Sequence, residues 1–352
     1  MINPNTFLKE NIERIVDKYK SDYELVSRAV FALGLVEALV KVGTNFIFKG
    51  GSALMLLFKS LKRLSTDVDI LVPYGYDIES YLKKASEIIP FISLEESKRQ
   101  SGMAIEKKHY KIRYKSTSRE TELTVIVDVL FANDVYSRKI EVPINNDLLL
   151  CEGNDYYVKV PSCESILGDK LTAFAPHTIG KSFFNEDFSN DKRLEIIKQF
   201  YDISCLFDVC KDFDELKATY VKTAQQEISY RNRIMDINES LIDTFNAALR
   251  IFSHGLFLRE DYPHYISGLR RIKQHIVGEK INPESAELHA ARIMFLTSCL
   301  LTSNDAFSYK VEEQSIFKES SYSKLNFLKR KNRTAFNFAA TAIRLLNGIK
   351  VI

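Results

Sequence analysis

Residues 46–72 read FIFKGGSALMLLFKSLKRLSTDVDILV, and this stretch decides the fold of the N-terminal part of the chain. Its two short apolar runs, 46–49 and 68–72, have the length and composition of buried strands. Between them, a Gly-Gly-Ser sequence marks a turn, and residues 53–62 have the apolar spacing of a helix. The stretch therefore predicts a strand, a turn, a helix and a second strand in succession.

The turn has the composition of a phosphate-binding loop. Gly50 and Gly51 allow the backbone to turn sharply and to approach a ligand closely. Ser52 follows at the start of the helix, where unpaired N–H groups and the positive end of the helix dipole favour a phosphate. An ordinary strand-to-helix turn has the same composition, but the acidic residues downstream favour phosphate binding.

Two acidic residues occupy the second, otherwise apolar, strand. Asp67 and Asp69 are two positions apart, so their side chains share one face, with Cα atoms about 6.5 Å apart. Val68 and Ile70 point to the opposite face and anchor the strand in the core. Because two neighbouring carboxylates repel each other and Mg²⁺ prefers oxygen ligands, we predict that this pair binds a divalent metal.

A third acidic residue, Asp128, lies in a strand predicted over residues 122–131. This strand alternates, with Leu123 and Val125 on the apolar face and Asp128 on the polar one. If it adjoins the strand of the acidic pair, three carboxylates meet. Such a triad can hold two metals about 3.5–4 Å apart and position a hydroxyl for in-line displacement on phosphorus.

The chain as a whole predicts an α+β protein with two domains. Residues 1–160 combine helices with strands, including further strands at 110–114 and 156–160, and predict a mixed sheet with flanking helices. Residues 161–352 lack strand patterns and predict an all-helical domain that completes the active site. Its predicted helices are 162–175, 194–209, 213–229, 237–252, 262–276, 285–301 and 324–346.

Composition excludes several classes of protein. The chain has 352 residues, 45% of them hydrophobic and 27% charged, which argues against a disordered or fibrous protein. The five cysteines form no C-x-x-C pair, so a zinc site has no support. No apolar run approaches the roughly 18 residues of a membrane span. With no apolar signal core at the N-terminus, we expect a cytoplasmic protein without a membrane partner.

A Gly-Ser turn, a helix and then Asp-x-Asp on the next strand is the signature of the polymerase-β-type nucleotidyltransferase fold. With 14 residues between Ser52 and Asp67, the sequence resembles the AbiEii/AbiGii toxin family of nucleotidyltransferases, to which the MenT-type tRNA-modifying toxins are similar. The motifs that match lie within residues 46–207. They are Lys49-Gly50-Gly51-Ser52, Arg63-x-Ser65-x-Asp67-x-Asp69, Lys170-Leu171-Thr172-Ala173 and Lys198-Gln199-Phe200-Tyr201-Asp202.

The resemblance implies a nucleotidyltransferase that moves a nucleoside monophosphate from an NTP to an acceptor hydroxyl, using Mg²⁺ or Mn²⁺. It further implies a tRNA 3′ end as the acceptor and a cognate antitoxin as the partner, in a bacterial toxin–antitoxin or abortive-infection system. The residues implied as catalytic are Asp67, Asp69, Asp128 and Lys170, and the first three are the implied metal ligands. The residues implied to bind the nucleotide and its phosphates are Lys49, Gly50, Gly51, Ser52, Arg63, Lys170 and Asp202.

Three alternative functions are compatible with the same motifs. The enzyme could modify a small molecule such as an antibiotic, or it could modify a protein hydroxyl, since only the acceptor differs. In a third alternative, from another class, the chain is catalytically silent and acts by binding a partner. The presence of both Asp67 and Asp69 argues against this last alternative.

Basic residues are concentrated in segments, although the net charge is only +3. They cluster at 107–115, at 270–273 and after Ser320, where Lys350 is the last. Tyr265, Phe327 and Phe336 are interspersed with the latter two groups. Such segments could follow the phosphates of an RNA, or simply form solvated helix and strand faces.

Overall fold

The structure is a computed structural model in which residues 1–97, 105–118, 121–184, 191–257, 259–317, 321–346 and 349 are described. The chain divides into two compact units. The first comprises Met1–Ser162 together with Gln274–Glu279, and the second comprises Cys163–Lys273 and Lys280–Ile352. Within the described ranges, no helix is long and apolar enough to cross a membrane.

The first unit contains a mixed sheet and its flanking helices. Its helices are α1 (Lys9–Tyr19), α2 (Tyr23–Lys41), α3 (Gly50–Leu57) and α4 (Ile78–Ser86), preceded by a 3₁₀ turn at Pro4–Phe7. Its strands are β1 (Ile47–Lys49), β2 (Asp67–Val72), β3 (Phe91–Glu96), β4 (Glu106–Lys115), β5 (Glu122–Phe131), β6 (Lys139–Pro143) and β7 (Tyr157–Pro161). The predicted mixed sheet with flanking helices is therefore confirmed.

Strands β1 to β5 form one sheet in the order β1-β2-β5-β4-β3, and β6 pairs with β7 in a separate hairpin. Strands β2 and β5 run parallel, whereas the other described pairs are antiparallel. The alternation predicted for residues 122–131 is confirmed, because every second residue of β5 is buried. One face of the sheet is thus apolar along its length, and the other is left for polar side chains.

Helix α2 covers the apolar face of the sheet. Asp22 caps its N-terminus by accepting a hydrogen bond from the Leu25 N–H at 2.9 Å, an interaction typically worth about 1 kcal/mol. The helix packs on β2 and β5, and α1 and α4 pack on the helix itself. It is consequently apolar nearly all round, as expected for a helix buried on several sides. The Phe31 ring stacks on that of Tyr114 in β4, with centroids 3.7 Å apart.

In its described part, the second unit has helices as its regular elements of secondary structure and no strand longer than an isolated bridge, which agrees with the predicted helical domain. Its helices are α5 (Cys163–Ala173), α6 (Arg193–Phe207), α7 (Phe213–Tyr230), α8 (Ile237–Phe252), α9 (Tyr262–Ile272), α10 (Ala286–Thr302), α11 (Leu328–Lys331) and α12 (Arg333–Leu345), with 3₁₀ turns at Arg259–Asp261 and Ser321–Leu325. Helix α10 is buried along most of its length because α6, α8 and α12 pack around it. Asp236 begins α8 with a capping box, in which its side chain and that of Glu239 bond reciprocally to backbone N–H groups.

Several boundaries differ from the sequence expectation. The helix predicted over 53–62 begins at Gly50 and ends at Leu57. Residues 62–64 are extended instead, because they pair with residues 275–277 through the hydrogen bonds Leu64 N–H to His275 O and Val277 N–H to Lys62 O. The single helix predicted over 324–346 is divided, since Asn332 caps α12 by accepting from the Ala335 N–H. The elements α4, β3 and β6 have no counterpart in the prediction.

Candidate active site

A row of polar side chains crosses four adjacent strands on the face of the sheet opposite α2. In the strand register, Lys49 of β1 is paired with Asp69 of β2, Asp69 with Asp128 of β5, and Asp128 with His109 of β4. Residues paired across neighbouring strands point to the same face, so these four side chains form one continuous row. Asp67 lies on the same face, two positions before Asp69 and opposite Ile126. The structure therefore brings all three predicted carboxylates onto one surface.

Buried neighbours hold these acidic residues in place. Val68 and Ile70 alternate with the β2 carboxylates and are fully buried, as are Val127 and Val129 on either side of Asp128 in β5. Removing these apolar side chains from water stabilises a single strand register. A slip by one residue would bury the carboxylates and expose the valines. The local alternation thus fixes where the acids lie.

Gly50 is required by the close approach of Asp69. Its φ is +75°, a left-handed backbone conformation that favours glycine. A Cβ atom at this position would lie 2.8 Å from the Asp69 Cγ and 3.0 Å from the Asp69 Cβ. The glycine predicted to approach a phosphate therefore also makes room for a carboxylate.

Gly51 and Ser52 make contacts of a different kind. A Cβ at Gly51 would lie 2.9 Å from the Ser65 Oγ and 3.1 Å from the Arg63 Cζ, so the buried Arg63 guanidinium packs directly against this glycine. The buried Ser52 hydroxyl donates a hydrogen bond to the backbone carbonyl of Asp67. This bond ties the first turn of α3 to the start of β2. Phosphate binding by Ser52 and Arg63 stays a prediction.

His109 is a site residue that sequence reasoning missed. Its Nδ1 lies 2.6 Å from the Asp128 Oδ1, and the side chains of His109 and Asp128 are 16% and 37% exposed. The two residues are 19 positions apart and match no ligand-spacing pattern. His109 could have been predicted if the alternating strand 122–131 had been paired with the strand that contains His109.

The donor chemistry of the acidic face fits a divalent metal. Asp67, Asp69 and Asp128 offer hard oxygen ligands on one surface. Among the described residues, no three or more His, Cys, Asp or Glu side chains already converge as a metal cage. Mg²⁺ in proteins is usually held by one or two carboxylates together with substrate phosphates.

The basic strand β4 borders the same face. Lys107 and Lys111 alternate with His109 and share its face, and Lys111 is aligned with Ile126 and Asp67 across the sheet. Arg113 also lies on this side, where its guanidinium lies 3.1 Å from Glu95. Lys108 points to the opposite face. Part of the predicted basic segment 107–115 therefore lies next to the carboxylates.

The other basic segments have different surroundings. Arg271 pairs with Asp191 at 2.7 Å, and Lys331 pairs with the buried Glu287 at 3.1 Å. Tyr265 and Phe336 are core residues, so their rings are not part of an exposed surface formed by these basic groups. The helical period places them on the inner faces of α9 and α12. Lys350 lies outside the described residues.

In the second unit, Lys170 and Asp202 form a buried ion pair. The Lys170 Nζ lies 2.7 Å from the Asp202 Oδ2 and 3.1 Å from the Gln199 Oε1. The side chains of Lys170 and Asp202 are only 5% and 2% exposed. In an ion pair with so little solvent exposure, the two charged side chains attract each other strongly. Either side chain without its partner would be a buried charge that destabilises the fold. A second ion pair lies nearer the N-terminus of α6, where the Lys198 Nζ lies 2.9 Å from the Glu195 Oε1.

Comparisons with known proteins identify a matching family and similar solved structures. A family model described as "Nucleotidyl transferase AbiEii toxin, Type IV TA system" matches residues 35–283, well over half of the chain. Among solved structures, the chain is similar to JHP933 from Helicobacter pylori, with 19% identity, a TM-score of 0.35, and coverage of 69% of this chain and 97% of that one. It is also similar to an H. pylori protein assigned as a nucleotidyltransferase, with 18% identity, a TM-score of 0.30, and coverage of 61% and 91%.

No curated protein matches the chain. The family match nevertheless includes the whole acidic face, from Lys49 to Asp128, together with Lys170 and Asp202. The resemblance inferred from the motifs is therefore confirmed, and the chain is a nucleotidyltransferase that belongs to the AbiEii family of toxins of type IV toxin–antitoxin systems.

Proposed function

We propose that this enzyme transfers a nucleoside monophosphate from an NTP to the 3′ hydroxyl of a tRNA and that this reaction is its toxic activity. The acceptor oxygen forms a bond to the α-phosphorus, the bond from that phosphorus to the pyrophosphate oxygen breaks, and pyrophosphate leaves. The observation that carries the proposal is the parallel pairing of Asp69 with Asp128, on the same face as Asp67 and directly beside Gly50.

The three carboxylates have distinct proposed roles. Asp67 and Asp69 hold the divalent cation, Mg²⁺ or Mn²⁺, since both lie on β2 and face the same way. When bound, the cation offsets charge on the phosphoryl oxygens. Asp128 completes a second metal position or accepts the proton that the attacking hydroxyl releases. Its 37% exposed side chain allows access from solvent.

The nucleotide is proposed to bind at the N-terminus of α3. The backbone N–H groups of Gly51 and Ser52 lie in the first turn of this helix, where a phosphate is favoured. Lys49 and Arg63 supply positive charge on either side of that turn. The Ser52 hydroxyl would have to exchange its bond to the Asp67 carbonyl for a phosphate oxygen, or else act only by fixing the turn.

Lys170 and Asp202 are assigned to the same reaction because they lie in the two motifs at residues 170–173 and 198–202. Lys170 is proposed to neutralise a phosphate of the NTP, and Asp202 to hold its ammonium group, as in the observed ion pair. Loss of either residue would then reduce turnover as well as stability.

A tRNA acceptor agrees with the charge of β4. Lys107 and Lys111 share the face of the carboxylates and could contact the phosphates of a nucleic-acid end. A toxin that modifies tRNA acts in the cytoplasm, where its substrate is found. Because the family consists of toxins of type IV systems, a cognate antitoxin is implied.

Incubation with each of the four α-labelled NTPs, total tRNA and an aminoglycoside panel tests the proposal. We expect label at the tRNA 3′ end with Mg²⁺ or Mn²⁺, none with EDTA, and none with Asp69→Asn. Glu106→Gln, an exposed substitution at the start of β4, is the matched control and should retain activity. Label on a drug or on protein, with none on tRNA, would overturn the tRNA assignment.

Expression in cells separates catalysis from partner binding. Growth arrest by the wild-type chain should disappear with Asp67→Ala while the variant accumulates to the same level. Arrest that persists with Asp67→Ala would contradict a catalytic toxic activity.

A further inference from the structure

The contact between His109 and Asp128 assigns a role to a residue outside the AbiEii motifs. We propose that His109 is a positioning residue, whose ring holds the Asp128 carboxylate in the orientation needed for nucleotidyl transfer. The inference rests on the proposed function and deepens it. It starts from the 2.6 Å separation between the His109 Nδ1 and the Asp128 Oδ1.

The chemistry of the pair determines which atom donates. A carboxylate oxygen acts as the hydrogen-bond acceptor, so we assign the Nδ1–H of His109 as the donor. A hydrogen bond to a carboxylate is typically shorter and stronger than one between neutral groups, and 2.6 Å is a short separation between a nitrogen and an oxygen. The ring thus engages Oδ1, and we assign Oδ2 to the proposed metal contact or proton transfer.

The surroundings make His109 a firm support. It lies in the interior of β4, a strand of ten residues paired with β5 on one side and β3 on the other. Tyr110 and Ile112, which follow it, are buried on the apolar face. Its own side chain is only 16% exposed, so water competes little for the bond.

Asp128 needs such support more than Asp69 does. Asp69 is confined by Gly50, because a Cβ added to that glycine would lie 2.8 Å from the Asp69 Cγ. Asp128 is more than one third exposed, and without a partner its side chain can leave the orientation that faces Asp69. His109 and Asp69 are the residues paired with Asp128 on its two sides. Residues that orient ligating carboxylates typically change metal affinity or activity by about 10- to 100-fold when they are replaced.

Three substitutions at position 109 test the role of the Nδ1 donor. His109→Asn places an amide nitrogen at the position of Nδ1, because both nitrogens are bonded to Cγ. His109→Gln places its amide one atom further out, and His109→Ala removes the donor. We expect His109→Asn to retain most of kcat, and the other two variants to lose about 10- to 100-fold, with KM for the NTP changed less than about threefold.

Binding of Mn²⁺ in the absence of NTP supplies a readout other than activity. Titration followed by electron paramagnetic resonance should show weaker binding in His109→Ala and His109→Gln, and near wild-type binding in His109→Asn. The same order in activity and in Mn²⁺ affinity supports the proposal. Equal values for all three variants, whether all normal or all impaired, overturn it.

A double-mutant cycle shows whether His109 acts through Asp128. In an Asp128→Ala background, His109→Ala should cause no further loss of rate, since the residue it positions is gone. A full additional loss would overturn the positioning role even if the single variant folds poorly, because unfolding is measured on all members of the cycle.

Different experimental outcomes would overturn the positioning role of His109 and the proposed function. If the wild-type enzyme transfers nucleotide and Asp69→Asn does not, but His109→Ala matches the wild type, only the positioning role is overturned. If the wild-type enzyme transfers nucleotide to no acceptor, the proposed function is overturned and the inference with it.

Discussion

Replacing Gly50 by alanine should displace Asp69 and slow nucleotidyl transfer. Gly50 has a φ of +75°, a conformation that costs residues with a Cβ about 1–2 kcal/mol. The added methyl carbon would lie 2.8 Å from the Asp69 Cγ. Carbon atoms in ordinary contact are about 3.5–4.0 Å apart, so the Asp69 side chain has to move by about 0.7 Å or more.

The effect on the rate follows from that displacement. A shift of about 1 Å at a catalytic centre can lower the rate about 10²-fold, which corresponds to about 2.7 kcal/mol of activation free energy. For Gly50→Ala we therefore expect kcat to fall by about 10- to 100-fold. The rate is measured as label transferred from an α-labelled NTP to the acceptor, and the free energy of unfolding is measured in urea.

Gly43 provides a matched control. Its φ is +76°, almost the same as that of Gly50, but no described atom lies within 4 Å of a Cβ added there. Gly43→Ala should therefore lower the free energy of unfolding by about 1–2 kcal/mol, through the backbone conformation alone, with no effect on transfer. Equal loss of transfer in both variants, or a wild-type rate for Gly50→Ala, would refute the argument.

The remaining predictions concern metal binding, the buried ion pair and a pH dependence. Asp69→Asn should weaken Mn²⁺ binding at least about tenfold without changing the urea midpoint; unchanged binding would exclude Asp69 as a ligand. Asp202→Ala should lower the free energy of unfolding by about 3–5 kcal/mol because it leaves the Lys170 ammonium group buried without its carboxylate. The double variant Asp202→Ala/Lys170→Met should lose less stability. A loss below about 1 kcal/mol for Asp202→Ala would contradict the expected penalty for an unpaired buried charge. The hydrogen bond to Asp261 raises the pKa of His177. The stability that protonated His177 contributes is therefore complete below about pH 6.5, the ordinary pKa of histidine, and is lost as the pH rises through the raised pKa. The urea midpoint should fall as the pH rises above about 6.5, and it should fall by less in His177→Gln. The same fall in both proteins would exclude His177 as the cause.

The sequence alone predicted the parts of the fold that depend on neighbouring residues. The alternation in residues 122–131 and the apolar run at 68–72 identified β5 and β2, because a half-buried strand repeats every two residues. The same alternation placed Asp67 and Asp69 on one face before any strand pairing was known. Helices in the second unit were recognised for a similar reason, since their apolar period of about 3.6 is also local.

Elements without such a period were not predicted. The six residues of β3, FISLEE, are partly exposed on both faces of an edge strand, so they have no clear alternation. Residues 62–64 are extended only because residues 275–277, far along the chain, supply their hydrogen-bonding partners. Likewise, Ser52 was predicted to face a phosphate, yet its hydroxyl bonds to the Asp67 carbonyl, which only the packing of α3 against β2 brings within reach.

By itself, the sequence determined the set of candidate residues for chemistry: a glycine turn, the acids of the Asp-x-Asp strand, a third acid and a motif lysine. The tertiary structure decided which of them act on one another. Strand order placed Asp128 beside Asp69 and, on its other side, His109, which no spacing rule could identify. The reason is physical: faces and periods are set by adjacent residues, whereas neighbours across a sheet are set by how the whole chain buries its apolar surface.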